Sequence, residues 1–297
     1  MDQSTYDPCL LYISINGFGI IGLQTDDTLF LANPEFATAK ETKLKFLAKE
    51  REQLSTQHSI KFNRGQISLR DNGLVKLTQE RQCYNLRLVT TRSTNLTNSR
   101  GETRKGVIPM DQYIAQRARG AYIATVCRPE AAFDLSFAAQ VTNPQEENIK
   151  LLNRRIQWQI DNPTRGLTFV PLDIESLSLV IFTDASFANN KDLSLQIGYV
   201  IVLMDGNNDA NIIHWSSIKC KRVTRSVLAS ELYGLAHGFD IRAAIRTTIQ
   251  NILQLKQLPL VLCTDSKSLY ECLVKLGTTQ EKRLMVDLMC LRQAYER

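Results

Sequence analysis

Two apolar runs of strand length end alike: Ser178-Leu-Val-Ile-Phe-Thr-Asp184 and Leu258-Pro-Leu-Val-Leu-Cys-Thr-Asp265 both close on Thr-Asp, with Ser186 and Ser266 just beyond. Laid side by side, such strands put two carboxylates together. Between them, residues 225–239 space Val227, Leu228, Leu232, Leu235 and Phe239 three or four apart, the period of an amphipathic helix. Glu231 falls inside that stripe. A carboxylate turned toward a core is costly unless something neutralises it, so three acids on two strand ends and an intervening helix point to a shared cation. Hard divalent cations take carboxylate oxygens, which Asp184, Glu231 and Asp265 supply. Nucleophilic serine chemistry is disfavoured, because Ser186, Ser216 and Ser217 have no base in their motifs. His214, beside Trp215, and His237, behind the helix stripe, read as packing or surface residues.

The elements that must position these acids follow from periodicity and turn signals. Residues 177–183, 196–204 and 210–216 read as strands, 224–254 as a helix, 259–264 as a strand, and 266–276 and 279–297 as helices. Turns are expected at 205–209 and at Asn189-Asn190. The order gives a three-stranded meander, a crossover helix and a fourth strand parallel to the first. Asp287, on the last helix, is expected to pair with neighbouring basic residues.

Upstream, residues 9–31 read as a hairpin turned at Asn16-Gly-Phe-Gly19. Asp26 and Asp27 interrupt its apolar second half; a bulge or a second turn accounts for them, and on a strand only one of the two side chains can face a given site. Residues 36–53 favour helix, 58–80 short strands with a turn at Asp71-Asn-Gly73, and 78–89 helix again. A polar stretch at 90–111 reads as a loop. Residues 113–139 are apolar, broken at Arg128-Pro129, and Asn143 is the expected cap of a helix carrying Leu151, Leu152, Ile156, Trp158 and Ile160. A domain boundary is expected near Pro171.

At 297 residues and 43% hydrophobic, the chain is long enough for two domains with cores of their own. No apolar run approaches the roughly 18 residues of a membrane span, and Met1-Asp2-Gln3 lacks a signal peptide's basic region, so an intracellular protein, cytoplasmic or nuclear, is expected. Seven cysteines without a C-x-x-C pair point to reduced thiols. The net charge of +6 gathers in two clusters: Lys219, Lys221, Arg222 and Arg225, and Arg100, Arg104, Lys105, Arg117 and Arg119. Such clusters suit a phosphate backbone.

Taken in order, Thr183-Asp184-Ala-Ser186, Trp215-Ser-Ser217, Ala229-Ser-Glu231-Leu-Tyr233 and Thr264-Asp265-Ser266 resemble the ribonuclease H domain of Ty1/copia-type retrotransposon polyproteins. The upstream half is similar to the carboxy-terminal part of the same element's reverse transcriptase. Leu23-Gln-Thr-Asp26-Asp27 stands where the family's palm motif reads Tyr-x-Asp-Asp, with Gln24 in place of the tyrosine. Arg119-Gly-Ala-Tyr122-Ile-Ala-Thr125, Arg128-Pro-Glu-Ala-Ala-Phe133 and Asn143-Pro144 match the block that follows the palm.

The resemblance implies an α/β chain with an α+β N-terminal half. Residues 1–170 would be a partial reverse-transcriptase palm, with its Asp-Asp hairpin, and a thumb or connection region; 171–297 would be a ribonuclease H-like mixed sheet with flanking helices, lacking its C-terminal end. It further implies metal-dependent hydrolysis of the RNA strand in RNA–DNA hybrids by two Mg²⁺ or Mn²⁺ ions held by Asp184, Glu231 and Asp265, with Asp184 bridging both. That site would be incomplete, because the family's fourth acid is expected beyond Arg297. Asp26 and Asp27 would be a vestigial polymerase site without its partner acid, and polymerase activity is not expected. Ser186, Ser216, Ser217, Lys219, Lys221 and Arg222 are the implied nucleic-acid contacts, made to backbone and shape rather than to sequence. The implied partners are an RNA–DNA hybrid or other nucleic acid and the remainder of the polyprotein, with no membrane. The alternative is a catalytically inactive transposon remnant that retains the fold, with or without nucleic-acid binding.

Overall fold

A computed structural model describes residues 1–13, 18–43, 50–90, 96–97, 103–104, 109–186, 195–220, 222, 224–275, 279 and 281–295. The chain is mixed α/β. Strands β1 (Asp2–Gln3), β2 (Leu10–Ile13), β3 (Gly19–Gln24) and β4 (Asp27–Ala32) form an antiparallel sheet in that order, followed by helix α1 (Pro34–Lys43). The Asn16-Gly17 and Asn189-Asn190 turns lie outside the described residues. Gln24 pairs with Asp27, which makes Thr25 and Asp26 a two-residue hairpin loop. Thr25 has φ 54°, the positive value such loops require and a costly one for a β-branched residue.

A second sheet is built from β5 (Ile60–Phe62), β6 (Gly65–Leu69) and β7 (Val75–Thr78). Gly73, at φ 79°, turns the chain between β6 and β7. After this sheet come α2 (Glu80–Tyr84), the short pair β8 (Leu96–Thr97) and β9 (Thr103–Arg104), α3 (Pro109–Cys127), α4 (Ala132–Ala139) and α5 (Glu146–Asp161). The break at Arg128-Pro129 is a single 3-10 turn, Pro129–Ala131, between α3 and α4. Strand β10 (Gly166–Phe169) then pairs with the free edge of β7. Gly166 is needed there, because a Cβ would lie 2.0 Å from the Leu77 carbonyl oxygen.

Three local expectations are corrected. The helix over 78–89 shrinks to α2, since the chain turns away at Asn85. The cap of α5 is Gln145 rather than Asn143: its side chain takes the Asn148 backbone N–H, while the Asn148 side chain takes that of Gln145. Residues 50–53 are not helical.

The third sheet contains β11 (Ser178–Ser186), β12 (Gln196–Met204), β13 (Ala210–Lys219) and β14 (Leu260–Cys263) in the order β13-β12-β11-β14, with α6 (Val227–Leu253) between β13 and β14. Only β14 runs parallel to its neighbour, as a crossover connection demands. Helices α7 (Lys267–Val274) and α8 (Met285–Tyr295) complete the described chain; α8 begins after a 3-10 turn and not at 279. Ser226 caps α6 by accepting the Ala229 N–H at 3.2 Å.

Glycines set how closely α6 lies on the sheet. Side chains at Gly234 and Gly238 would meet Ala185 Cβ at 3.4 Å and Thr183 Cγ2 at 3.2 Å. One core gathers Leu179, Ile181, Ile201, Ile245 and Leu258 beneath the helix. Another gathers Ala229, Leu232, Leu235, Leu269, Leu284 and Leu288 between α6, α7 and α8. Each fully buried leucine contributes about 1.5–3 kcal/mol, enough to offset one unfavourable group in the same stripe. Val227, assigned to that stripe by spacing, is 54% exposed.

Candidate metal centre

The register of β11 and β14 aligns the two Thr-Asp ends. Phe182 pairs with Cys263, so Asp184, still within β11, and Asp265, just past the end of β14, each lie two residues beyond that pair. The Leu179 N–H donates to the Pro259 carbonyl, so by alternation the N–H groups of residues 181, 183 and 185 also point toward β14. β14 ends at Cys263, and a gap opens beside Ala185. Glu231, less than two turns into α6, fills it, and its carboxylate accepts the Ala185 N–H. Carboxylate oxygens of Asp184, Glu231 and Asp265 therefore lie within 4.8 Å of one another, the only such group of three among the described residues.

The environment of Glu231 is unfavourable to a lone carboxylate. Burial, then the charges of Asp184 and Asp265, push it up to about 7, against a smaller lowering by the Ala185 N–H. The residue is 7% exposed, and its Oε2 is buried with no hydrogen-bond partner. Asp184 and Asp265 are exposed, so the cluster opens to solvent on one side. Gly198, which pairs with Asp184, keeps that side clear: a Cβ there would meet only the Asp184 carbonyl oxygen, at 3.9 Å. These residues fit a divalent cation. Two oxygens on one ion lie at most about 4–5 Å apart, and an ion would supply the orphaned Oε2 with a partner and offset the repulsion.

The other sequence-predicted residues divide between the site and the scaffold. Ser186 accepts the Gln196 N–H at 3.3 Å. Ser216 pairs with Tyr199 in the sheet, and a hydrogen bond from its side chain partly offsets the burial that pushes Tyr199 up to about 12. Ser217 Oγ accepts from Gln196 Nε2 at 2.9 Å. Lys219 is exposed at the end of β13, and Lys221 lies outside the described residues. The Arg222 guanidinium sits 4.7 Å from the Tyr233 ring centroid and 3.6 Å from Asp287. Asp287 thus forms an ion pair, but with Arg222 and not with the basic residues beside it in sequence, where Arg283 pairs with Glu281 instead. His214 bonds to Tyr6 and Tyr199 hydroxyls at 2.9 and 3.1 Å. All seven cysteines are free.

Asp26 and Asp27 are exposed at the β3–β4 tip, and among the described residues no third metal-binding side chain joins them. Sequence reasoning missed the Ala185 N–H and Gly198, whose roles come from strand register, and Gln196, which ties the sheet to α4. Gln196 is 5% exposed. It donates to Ser136 at 3.0 Å and accepts from Gln140 at 2.9 Å.

No protein-family model and no curated protein matches this chain. Among solved structures, it is similar to a foamy viral protease-reverse transcriptase in complex with RNA/DNA hybrid, at 12% identity and TM-score 0.41 over 78% of this chain and 28% of that one. It is also similar to the native prototype foamy virus protease-reverse transcriptase, at 13% identity and TM-score 0.24 over 52% and 23%. The chain thus spans under a third of the length of either. Among the described residues, no helix is long and apolar enough to cross a membrane.

Proposed function

We propose that Asp184, Glu231 and Asp265 hold divalent cations, Mg²⁺ or Mn²⁺, and that the chain hydrolyses the RNA strand of RNA–DNA hybrids, as the Ty1/copia-type ribonuclease H domain that its motifs resemble. The observation that carries this reading is the convergence of three carboxylates around a buried, unpartnered Glu231 oxygen. Cations bound there would activate a water and neutralise charge on the leaving oxygen. The chain's own part is positional. The Ala185 N–H fixes Glu231, strand register fixes Asp184 against Asp265, and Gly198 leaves room for a backbone to approach. Ser186, Ser216, Ser217, Lys219, Lys221 and Arg222 are the proposed contacts to phosphate and 2′-hydroxyl groups. Residues 1–170 are read as palm hairpin and thumb or connection region, with Asp26 and Asp27 a vestigial polymerase site.

The test is cleavage of an end-labelled RNA strand in a hybrid by the purified chain. Cleavage is expected with added metal, stronger with Mn²⁺ than with Mg²⁺ because Mn²⁺ binds such ligands more tightly. It should be abolished by chelation and by Asp184→Asn, while hybrid binding persists and weakens with salt. A folded chain that leaves hybrids intact at every metal concentration, or cleavage that survives Asp184→Asn, would overturn the reading.

A further inference from the structure

We propose a second nucleic-acid site, in which the cleft between α4 and α5 takes an unpaired base and its flanking phosphates from single-stranded nucleic acid; as an adjunct to the triad it rests on the nuclease reading. The cleft has a volume of about 690 Å³ and contains the aromatic side chains Phe133, Phe137 and Trp158. Phe133 is 53% exposed and its ring stacks on Phe137, with centroids 6.2 Å apart and planes 23° from parallel. A half-exposed aromatic pair presents a flat apolar face, which is what a base stacks on.

Charge selects the occupant. Arg155 and Arg165 lie 5.0 and 5.4 Å from the Trp158 ring centroid, and Arg154 lines the same cleft. The two acids in the lining are already taken: Asp134 pairs with Arg155, and Glu130 with Arg128 and Arg165. Arg154 is exposed and has no acid partner among the described residues. The rim is therefore net cationic. A second copy of the chain would set arginines against arginines across a two-fold contact, which disfavours self-association. Flat aromatic faces beside guanidinium groups match the alternation of base and phosphate along a single strand.

The cleft is also placed to serve the triad. Phe133, Ser136, Phe137 and Gln140 recur at i, i+3, i+4 and i+7, one stripe of α4 and its C-cap, and Ser136 and Gln140 bond Gln196. Gln196 pairs with Ser186, two residues from Asp184. The aromatic pair and the contacts to the sheet thus share one stripe, within about 10 Å of helix rise. A strand leaving the triad reaches the cleft within a few nucleotides.

The test is fluorescence anisotropy of a labelled 20-nucleotide oligo-dT with the full chain, in chelator at low salt. Wild type should bind it, and Phe133→Ala and Arg154→Glu should each weaken binding about ten-fold. Both side chains are exposed, so the variants should keep the wild-type melting temperature to within about 2 °C. Asp184→Asn should bind like wild type. The proposal is overturned if wild type fails to bind oligo-dT, if both variants bind as tightly as wild type, or if an oligo-glutamate peptide binds the cleft in preference. Oligo-dT binding that is lost in both variants, in a chain that never cleaves hybrid, would refute the nuclease reading alone; cleavage without such binding would refute this site alone.

Discussion

The Glu231 carboxylate accepts the backbone N–H of Ala185 at the point where β14 stops, so the end of one strand creates the place that a helix residue fills. The bond fixes the carboxylate between Asp184 and Asp265. It does not compensate for burial, and Glu231 remains pushed up to about 7.

Stability without metal should therefore fall as pH rises. A raised carboxyl contributes stability that is fully present below its unfolded value, near 4.5, and is lost as pH passes through about 7. In chelator, the melting temperature of wild type should drop from pH 5 to pH 8. Glu231→Gln should flatten that drop and be more stable than wild type at pH 8 by on the order of 1 kcal/mol. Parallel pH profiles for the two proteins would rule out Glu231 as the source.

Asp265 and Asp287 should behave oppositely on substitution. Asp265→Asn removes a triad oxygen and should lower hybrid cleavage about 100-fold or more, the equivalent of about 2.7 kcal/mol in barrier. Asp287 pairs with Arg222 at 3.6 Å and lies outside the triad. Asp287→Asn should leave the cleavage rate unchanged and cost less than about 1 kcal/mol in urea unfolding. A cleavage loss with Asp287→Asn comparable to that with Asp265→Asn would make Asp287 a working acid.

Gln196 joins α4 and its cap to the third sheet through Ser136 and Gln140, and bonds Ser217 within that sheet. Gln196→Ala strands these partners in a part-buried setting and should destabilise the chain by about 1–3 kcal/mol. Equilibrium unfolding reads this directly, and an unchanged midpoint would show that the network carries no energetic weight.

Primer extension on an RNA template should be undetectable, because Asp26 and Asp27 have no third metal-binding side chain beside them among the described residues. Template-dependent incorporation that disappears in Asp26→Ala would reverse that conclusion.

The sequence exposed most of what positions the triad, for a physical reason. Apolar runs that end in Thr-Asp, and an acid inside a 3.6-residue stripe, are local patterns, and the β12 bounds follow from composition and turns alone. Long-range features were not legible. The Ala185 N–H is left to Glu231 and not to a strand because β14 ends at Cys263, opposite Phe182 and three residues short of Ala185, a matter of register between segments about 80 residues apart. The same holds for Gly198, which looks like any strand glycine until its pairing with Asp184 is known. The α5 cap misled: Asn143 has the favoured type, but Gln145 forms the reciprocal pair with Asn148. The α4–α5 cleft leaves no sequence signature, because Phe133, Trp158 and Arg165 meet only once three segments fold together.

The central claim is that Asp184, Glu231 and Asp265 together hold a divalent cation. Titration of the full chain with Mn²⁺, followed by loss of the free-ion electron paramagnetic resonance signal, measures this without requiring turnover. Wild type should bind at least one Mn²⁺ per chain, and Asp184→Asn, Glu231→Gln and Asp265→Asn should each weaken that binding about ten-fold or more. Binding that is absent in the folded wild type, or that is the same in all three variants, would contradict the account.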